Sequence, residues 1–116
     1  MPSLFRFFRQ YPTKHQAATK LFNEMKQISV KTAVVTMPTA VYRNRRELSA
    51  VQVEVTNLQL KFDTARLKYD ALVKTMGPLE NLLNRKSLAV QKRELDAHGR
   101  NVAHALFYLN HNHRNI

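Results

Sequence analysis

Residues 48–76 read LSAVQVEVTNLQLKFDTARLKYDALVKTM, and within them Leu48, Val51, Val55, Leu58, Phe62, Ala65, Tyr69, Leu72 and Met76 recur at alternating steps of three and four. That spacing keeps all of these side chains on one face of an α-helix, the pattern of a helix packed lengthwise against a neighbour. Neither glycine nor proline falls between Pro38 and Met76. The spacing therefore predicts one helix with Pro38 in its first turn, about 58 Å long at ~1.5 Å per residue. A narrower stripe of Val53, Leu60 and Leu67 lies on the opposite side, so the helix is expected to be covered by two neighbours. This favours a bundle core over a freestanding coiled-coil dimer.

Towards the C-terminus, Gly77-Pro78 predicts a left-handed helix end followed at once by a first-turn proline, a turn between two helices. The next helix is expected to carry Leu79, Leu82, Leu83, Leu88, Leu95, Val102, Leu106 and Leu109, weakened in its middle by Gly99. Leu79 and Leu83 would continue the long stripe across the turn. Residues 110–116 form a polar tail with no means of folding alone.

Towards the N-terminus, Ser29 to Met37 is rich in valine and threonine and precedes a proline, which predicts an extended connector. Before it, Thr13 can cap a helix whose stripe is Ala17, Ala18, Leu21, Phe22, Met25 and Ile28. Leu4, Phe7, Phe8 and Tyr11 would share one face of a short helix ended by Pro12, with Arg6 and Arg9 beside them. The predicted fold class is therefore all-α. It comprises a basic docking segment over 1–37, with short N-terminal amphipathic helices and the extended connector, then a long antiparallel, coiled-coil-like helical hairpin over 38–109 that turns at 77–78. The tail over 110–116 follows.

Composition agrees. The 116 residues hold two glycines and four prolines, too little punctuation for an all-β or α/β domain. No cysteine is present, which removes disulfides, thiolate catalysis and thiolate-bound metals together. Nineteen Lys and Arg face eight Asp and Glu, a formal net charge of +11, so the expected partners are acidic proteins, RNA or an anionic membrane surface. The charge is uneven: through Glu47, nine basic residues oppose two acidic ones. No apolar run approaches the roughly 20 residues of a membrane-spanning helix, and no transmembrane segment is expected.

Chemistry-bearing constellations are sparse. His98, His104, His111 and His113 are the one cluster of metal-capable side chains, and no two of them stand at the i, i+4 spacing that brings two imidazoles to one ion. The carboxylates Glu47, Glu54, Asp63, Asp70, Glu80, Glu94 and Asp96 lie among basic helix neighbours and suit solvated faces and ion pairs better than acid–base work. Gly77 and Gly99 are too far apart to build a phosphate-cradling loop. None of the four serines, Ser3, Ser29, Ser49 and Ser87, sits in a nucleophile elbow. No enzymatic activity, cofactor or metal site is expected. Partner contacts are expected instead at Leu4, Phe7, Phe8, Tyr11, Leu48, Val51, Val55, Leu58, Phe62, Tyr69 and Leu72, together with the arginine cluster Arg43, Arg45 and Arg46. Guanidinium groups there suit phosphate or carboxylate. Arg85, Lys86, Lys92, Arg93 and Arg100 add a diffuse second basic patch.

The basic opening, free of acidic residues until Glu24, resembles a mitochondrial presequence. Leu4-Phe5-Arg6 resembles the Leu-Tyr-Arg tripeptide of a group of small mitochondrial proteins, with Phe5 in place of the tyrosine. Met37-Pro38, Tyr42-Arg43 and Gly77-Pro78-Leu79-Glu80 are similar to a small helical matrix-arm accessory subunit of respiratory complex I, whose tryptophan-rich ending this chain lacks. These likenesses imply a setting without assigning a family. They point to a non-catalytic structural accessory subunit of a large mitochondrial bioenergetic complex, a respiratory complex or ATP synthase, on the matrix side or at the inner membrane. Its partners would be protein subunits, with anionic lipid contact through the N-terminal helix. The alternative is a mitochondrial ribosomal protein that binds RNA. Further readings are a peripheral membrane-binding protein and a scaffold on acidic cytoskeletal filaments.

Overall fold

Thr13 opens the first helix with a reciprocal capping box. Its hydroxyl accepts from the Gln16 N–H at 3.2 Å, and the Thr13 N–H donates to Gln16 Oε1 at 3.1 Å. The computed structural model describes residues 13–36 and 42–115. In it, α1 spans Lys14–Ala33 and runs into a 3-10 turn at Val34–Thr36. Three more helices follow: α2 at Arg45–Lys74, α3 at Pro78–Leu83 and α4 at Arg85–Asn115. The fold is all-α, with no strand among the described residues. The expected helix over Leu4, Phe7, Phe8 and Tyr11 lies outside them, as does Pro38.

Five local expectations are corrected. Residues 29–36 are helical, not extended. Ser29 and Thr32 are buried, and Thr32 Oγ1 donates to the Ser29 carbonyl at 2.9 Å while Thr36 Oγ1 donates to that of Ala33 at 3.0 Å. Back-bonding to the preceding turn and packing of Val35 against the core overcome the β-branched preference. Second, α2 begins at Arg45 and not at Pro38, because Asn44 is extended and its Oδ1 accepts from the Glu47 N–H at 2.9 Å.

Third, Gly77 is not left-handed. Its φ is −63° and ψ 156°, the extended region that a following proline imposes. The end of α2 closes without it, through Thr75 N–H to the Ala71 carbonyl and Met76 N–H to that of Val73. Fourth, Leu79, Leu82 and Leu83 leave the apolar seam, being 69%, 66% and 75% exposed on α3. The expected tail also proves helical: α4 continues through Gly99 to Asn115.

The three long helices pack against one another as an up-down-up bundle with principal extents of 65 × 25 × 22 Å. Lys14 Nζ donates to the Thr75 carbonyl at one end, and Val35 packs with Leu48 and Val55 near the other, so α1 and α2 are antiparallel. Tyr69–Gln91, Arg66–Asp96 and Gln52–Asn110 pairs show that α4 also runs antiparallel to α2. The core has two segments. One joins Ala18, Phe22 and Met25 of α1 to Phe62, Ala65 and Tyr69 of α2 and to Leu95 and Val102 of α4. The other joins Leu48 and Val55 to Ala105 and Leu109, with Val35 and Tyr42 packed on. Residues 14–36 are thus built into the core and do not stand apart from the hairpin.

Candidate interaction surfaces

The seam residues Leu48, Val55, Phe62 and Tyr69 are buried and Val51 and Leu72 partly buried in the core shared with the chain's own α1 and α4, while Leu58, also partly buried, lines a groove beside Lys31 and Val34. Their first partners are internal. The opposite stripe is open among the described residues: Val53, Leu60 and Leu67 are 61%, 60% and 72% exposed. Leu60 also lines an open groove of about 580 Å³ between α1 and α2, floored by Leu21, Ile28 and Ala65. Lys31, Lys61 and Lys68 stand along it against the single carboxylate of Glu24. Through Leu60 the stripe adjoins this lysine-margined groove.

Arg43, Arg45 and Arg46 are exposed around the N-terminal end of α2. The Arg43 N–H donates to Glu47 Oε2 at 3.2 Å, which helps Asn44 close the helix end. Cations in the first turn oppose the helix dipole. A second groove of about 330 Å³ lies where α2 meets α3 and α4, and Lys74, Arg85, Lys92 and Asn81 line it with Asp70. Asp70 is engaged by Arg66, which also reaches Asp96 at 3.2 Å. The predicted contacts Leu4, Phe7, Phe8 and Tyr11 lie outside the described residues.

Among the described residues no three His, Asp or Glu side chains gather as a metal ion requires, and no helix is long and apolar enough to cross a membrane. Two tyrosines are perturbed. Burial pushes the Tyr69 phenol up, eased by nearby Arg66 and reinforced by Asp70. Burial also raises Tyr42, with Tyr108 and Glu47 adding to it. Both phenols stay protonated and donate: Tyr69 to Gln91 Oε1 at 2.8 Å, and Tyr42 to the Val35 carbonyl at 3.1 Å. Gln91 Nε2 then donates to Thr19 Oγ1 at 3.0 Å. Tyr69, Gln91 and Thr19 therefore tie α2, α4 and α1 together inside the bundle.

Sequence reasoning missed this relay and the exposed leucines of α3. A signal for the relay exists: Leu88, Gln91, Leu95, His98, Val102, Ala105 and Leu109 keep strict alternating steps of three and four, so Gln91 occupies a core-facing position. The leucines carry no comparable signal, because their exposure depends on how the turn at Gly77 aims a six-residue helix. Compared with family models, curated proteins and solved structures, the chain matches none.

Proposed function

We propose that this protein is a non-catalytic structural accessory subunit of a large mitochondrial bioenergetic complex, a respiratory complex or ATP synthase. Its bundle braces neighbouring subunits. The observation that carries this reading is the exposed stripe Val53, Leu60 and Leu67, continuous through Leu60 with the lysine-margined α1/α2 groove. Three large aliphatic side chains in register on one helix face gain little from water and much from an apolar cover. The lysines favour a cover with acidic flanks. Mitochondrial placement is supported by the acid-free, basic amphipathic opening of the sequence.

One observation favours a second reading. The exposed arginines at 43, 45 and 46 match the phosphate contacts of an RNA-binding ribosomal protein. A photo-crosslinking amino acid at Leu60, followed by mass spectrometry of detergent-solubilised mitochondria, tests both. Crosslinks to respiratory or ATP synthase subunits that persist after ribonuclease are expected. Ribonuclease-sensitive crosslinks to ribosomal proteins would transfer the case to the second reading, and sedimentation as an uncrosslinked monomer would overturn both.

A further inference from the structure

Independently of that reading, we propose that the α3 end of the bundle is a membrane-contact tip that inserts leucines into an anionic phospholipid surface. On the six residues of α3, Leu79, Leu82 and Leu83 fall at i, i+3 and i+4, so they share one outward face, each about two-thirds exposed or more. Glu80 and Asn81 point the other way. Glu80 Oε1 accepts from the His15 N–H of α1 at 2.8 Å, and Asn81 lines the groove between α2 and α4. The one acidic side chain of α3 is thus withdrawn from the leucine face.

Cations surround this apex. Lys14 reaches the Thr75 carbonyl there, Lys74 and Arg85 line the adjoining groove, and Lys86 is exposed one residue on. Apolar side chains at the centre with lysine and arginine around them match an anionic bilayer, where aliphatic tips enter the acyl boundary and cations meet phosphates. Part of the α3 backbone is already hydrogen-bonded, although Gly77 offers no side-chain cap to its first turn. Asn81 N–H bonds the Gly77 carbonyl at 2.9 Å, Asn84 N–H bonds that of Glu80 at 3.1 Å, and Asn84 Nδ2 adds a second donor to Glu80 at 2.8 Å. Pro78 has no N–H to satisfy.

The chain contains no tryptophan, so Leu82→Trp in this 116-residue chain gives a single indole at the tip. With vesicles of phosphatidylcholine containing about one-third phosphatidylglycerol, its emission should shift to the blue and be quenched by brominated acyl chains. Cosedimentation of the Leu79→Ser, Leu82→Ser, Leu83→Ser triple variant should be weakened about tenfold or more at unchanged helicity by circular dichroism. Each of Lys74→Ala, Arg85→Ala and Lys86→Ala should cost about fivefold. An unshifted indole would overturn the proposal and favour a protein pocket for α3. Vesicle binding that survives the triple variant but is lost on Phe7→Ser with Phe8→Ser would overturn it too, assigning lipid contact to the N-terminal segment.

Discussion

The apolar seams of α2 and α4 have the same spacing and different contents. In α2 every position from Leu48 to Met76 is apolar or tyrosine. In α4 the equivalent row holds Gln91 and His98 among aliphatic side chains. Gln91 is 6% exposed and bonded at both ends of its amide, to Tyr69 and to Thr19. His98 packs its ring against Phe22 at 6.2 Å, and its Nε2 is buried without a hydrogen-bond partner among the described residues. A polar residue in a seam is thus either a specified joint or an uncompensated cost, and the partner across the helix decides which. Satisfied amides fix register between helices that apolar packing alone would let slide.

The largest loss is expected of Phe62→Asp, which puts a charge where all three helices meet and removes the ring that lies 3.5 Å from where a side chain at Gly99 would begin. Cavity formation alone costs about 3–5 kcal/mol, and the buried carboxylate adds to it. Loss of the cooperative thermal transition is expected by circular dichroism, whereas Leu67→Ser on the exposed stripe should leave it in place.

Gln91→Ala should destabilise by about 1–3 kcal/mol in urea denaturation, because it strands the Tyr69 hydroxyl in the core. Tyr69→Phe removes the donor from the same joint and should cost about 1 kcal/mol at neutral pH. Its pH dependence sharpens the assignment. Since burial raises the Tyr69 pKa in the folded state, its contribution is whole below the ordinary tyrosine value of about 10 and is lost as pH rises through the folded value. The stability gap between wild type and Tyr69→Phe should therefore close in alkaline melts; a constant gap would mean that the phenol titrates alike in the folded and unfolded chain.

His98→Leu tests the contrary case. Replacing a side chain with an orphaned buried nitrogen by an aliphatic one should be neutral or stabilising by up to about 1 kcal/mol, and a loss comparable to that of Gln91→Ala would reveal a bond that His98 makes. Gly99→Ala should give a small gain. An added methyl meets Phe62 at ordinary contact distances of 3.5 and 3.7 Å, so the gain in helix propensity, about 0.8–1 kcal/mol, should appear almost intact as a higher melting temperature.

Much of the fold was legible. The seam of α2, the Thr13 cap, the break at Gly77-Pro78 and the all-helical class all follow from periodicity and local backbone chemistry, which act over a few residues. The surfaces were less so. Val53, Leu60 and Leu67 were readable as a second stripe because they repeat at seven residues on a helix already placed by its seam. Its lysine-margined groove was not, since Lys31 comes from α1 and Lys61 and Lys68 from α2.

The sequence by itself determined which residues are helical over most of the chain and which face of α2 is buried, because side-chain periodicity and steric limits on the backbone operate locally. Tertiary structure alone decided that residues 29–36 coil into the bundle and that Gln91 becomes a joint. It also decided that Leu79, Leu82 and Leu83 are turned outward. Each of these outcomes depends on what lies across a helix interface or beyond a turn: Val35 against the core, Tyr69 and Thr19 on either side of one amide, and His15 holding Glu80 so that α3 shows its leucines to the outside. Contacts between residues 65 and 72 positions apart, such as His15 with Glu80 and Thr19 with Gln91, form only when the chain closes on itself, and no local pattern contains them.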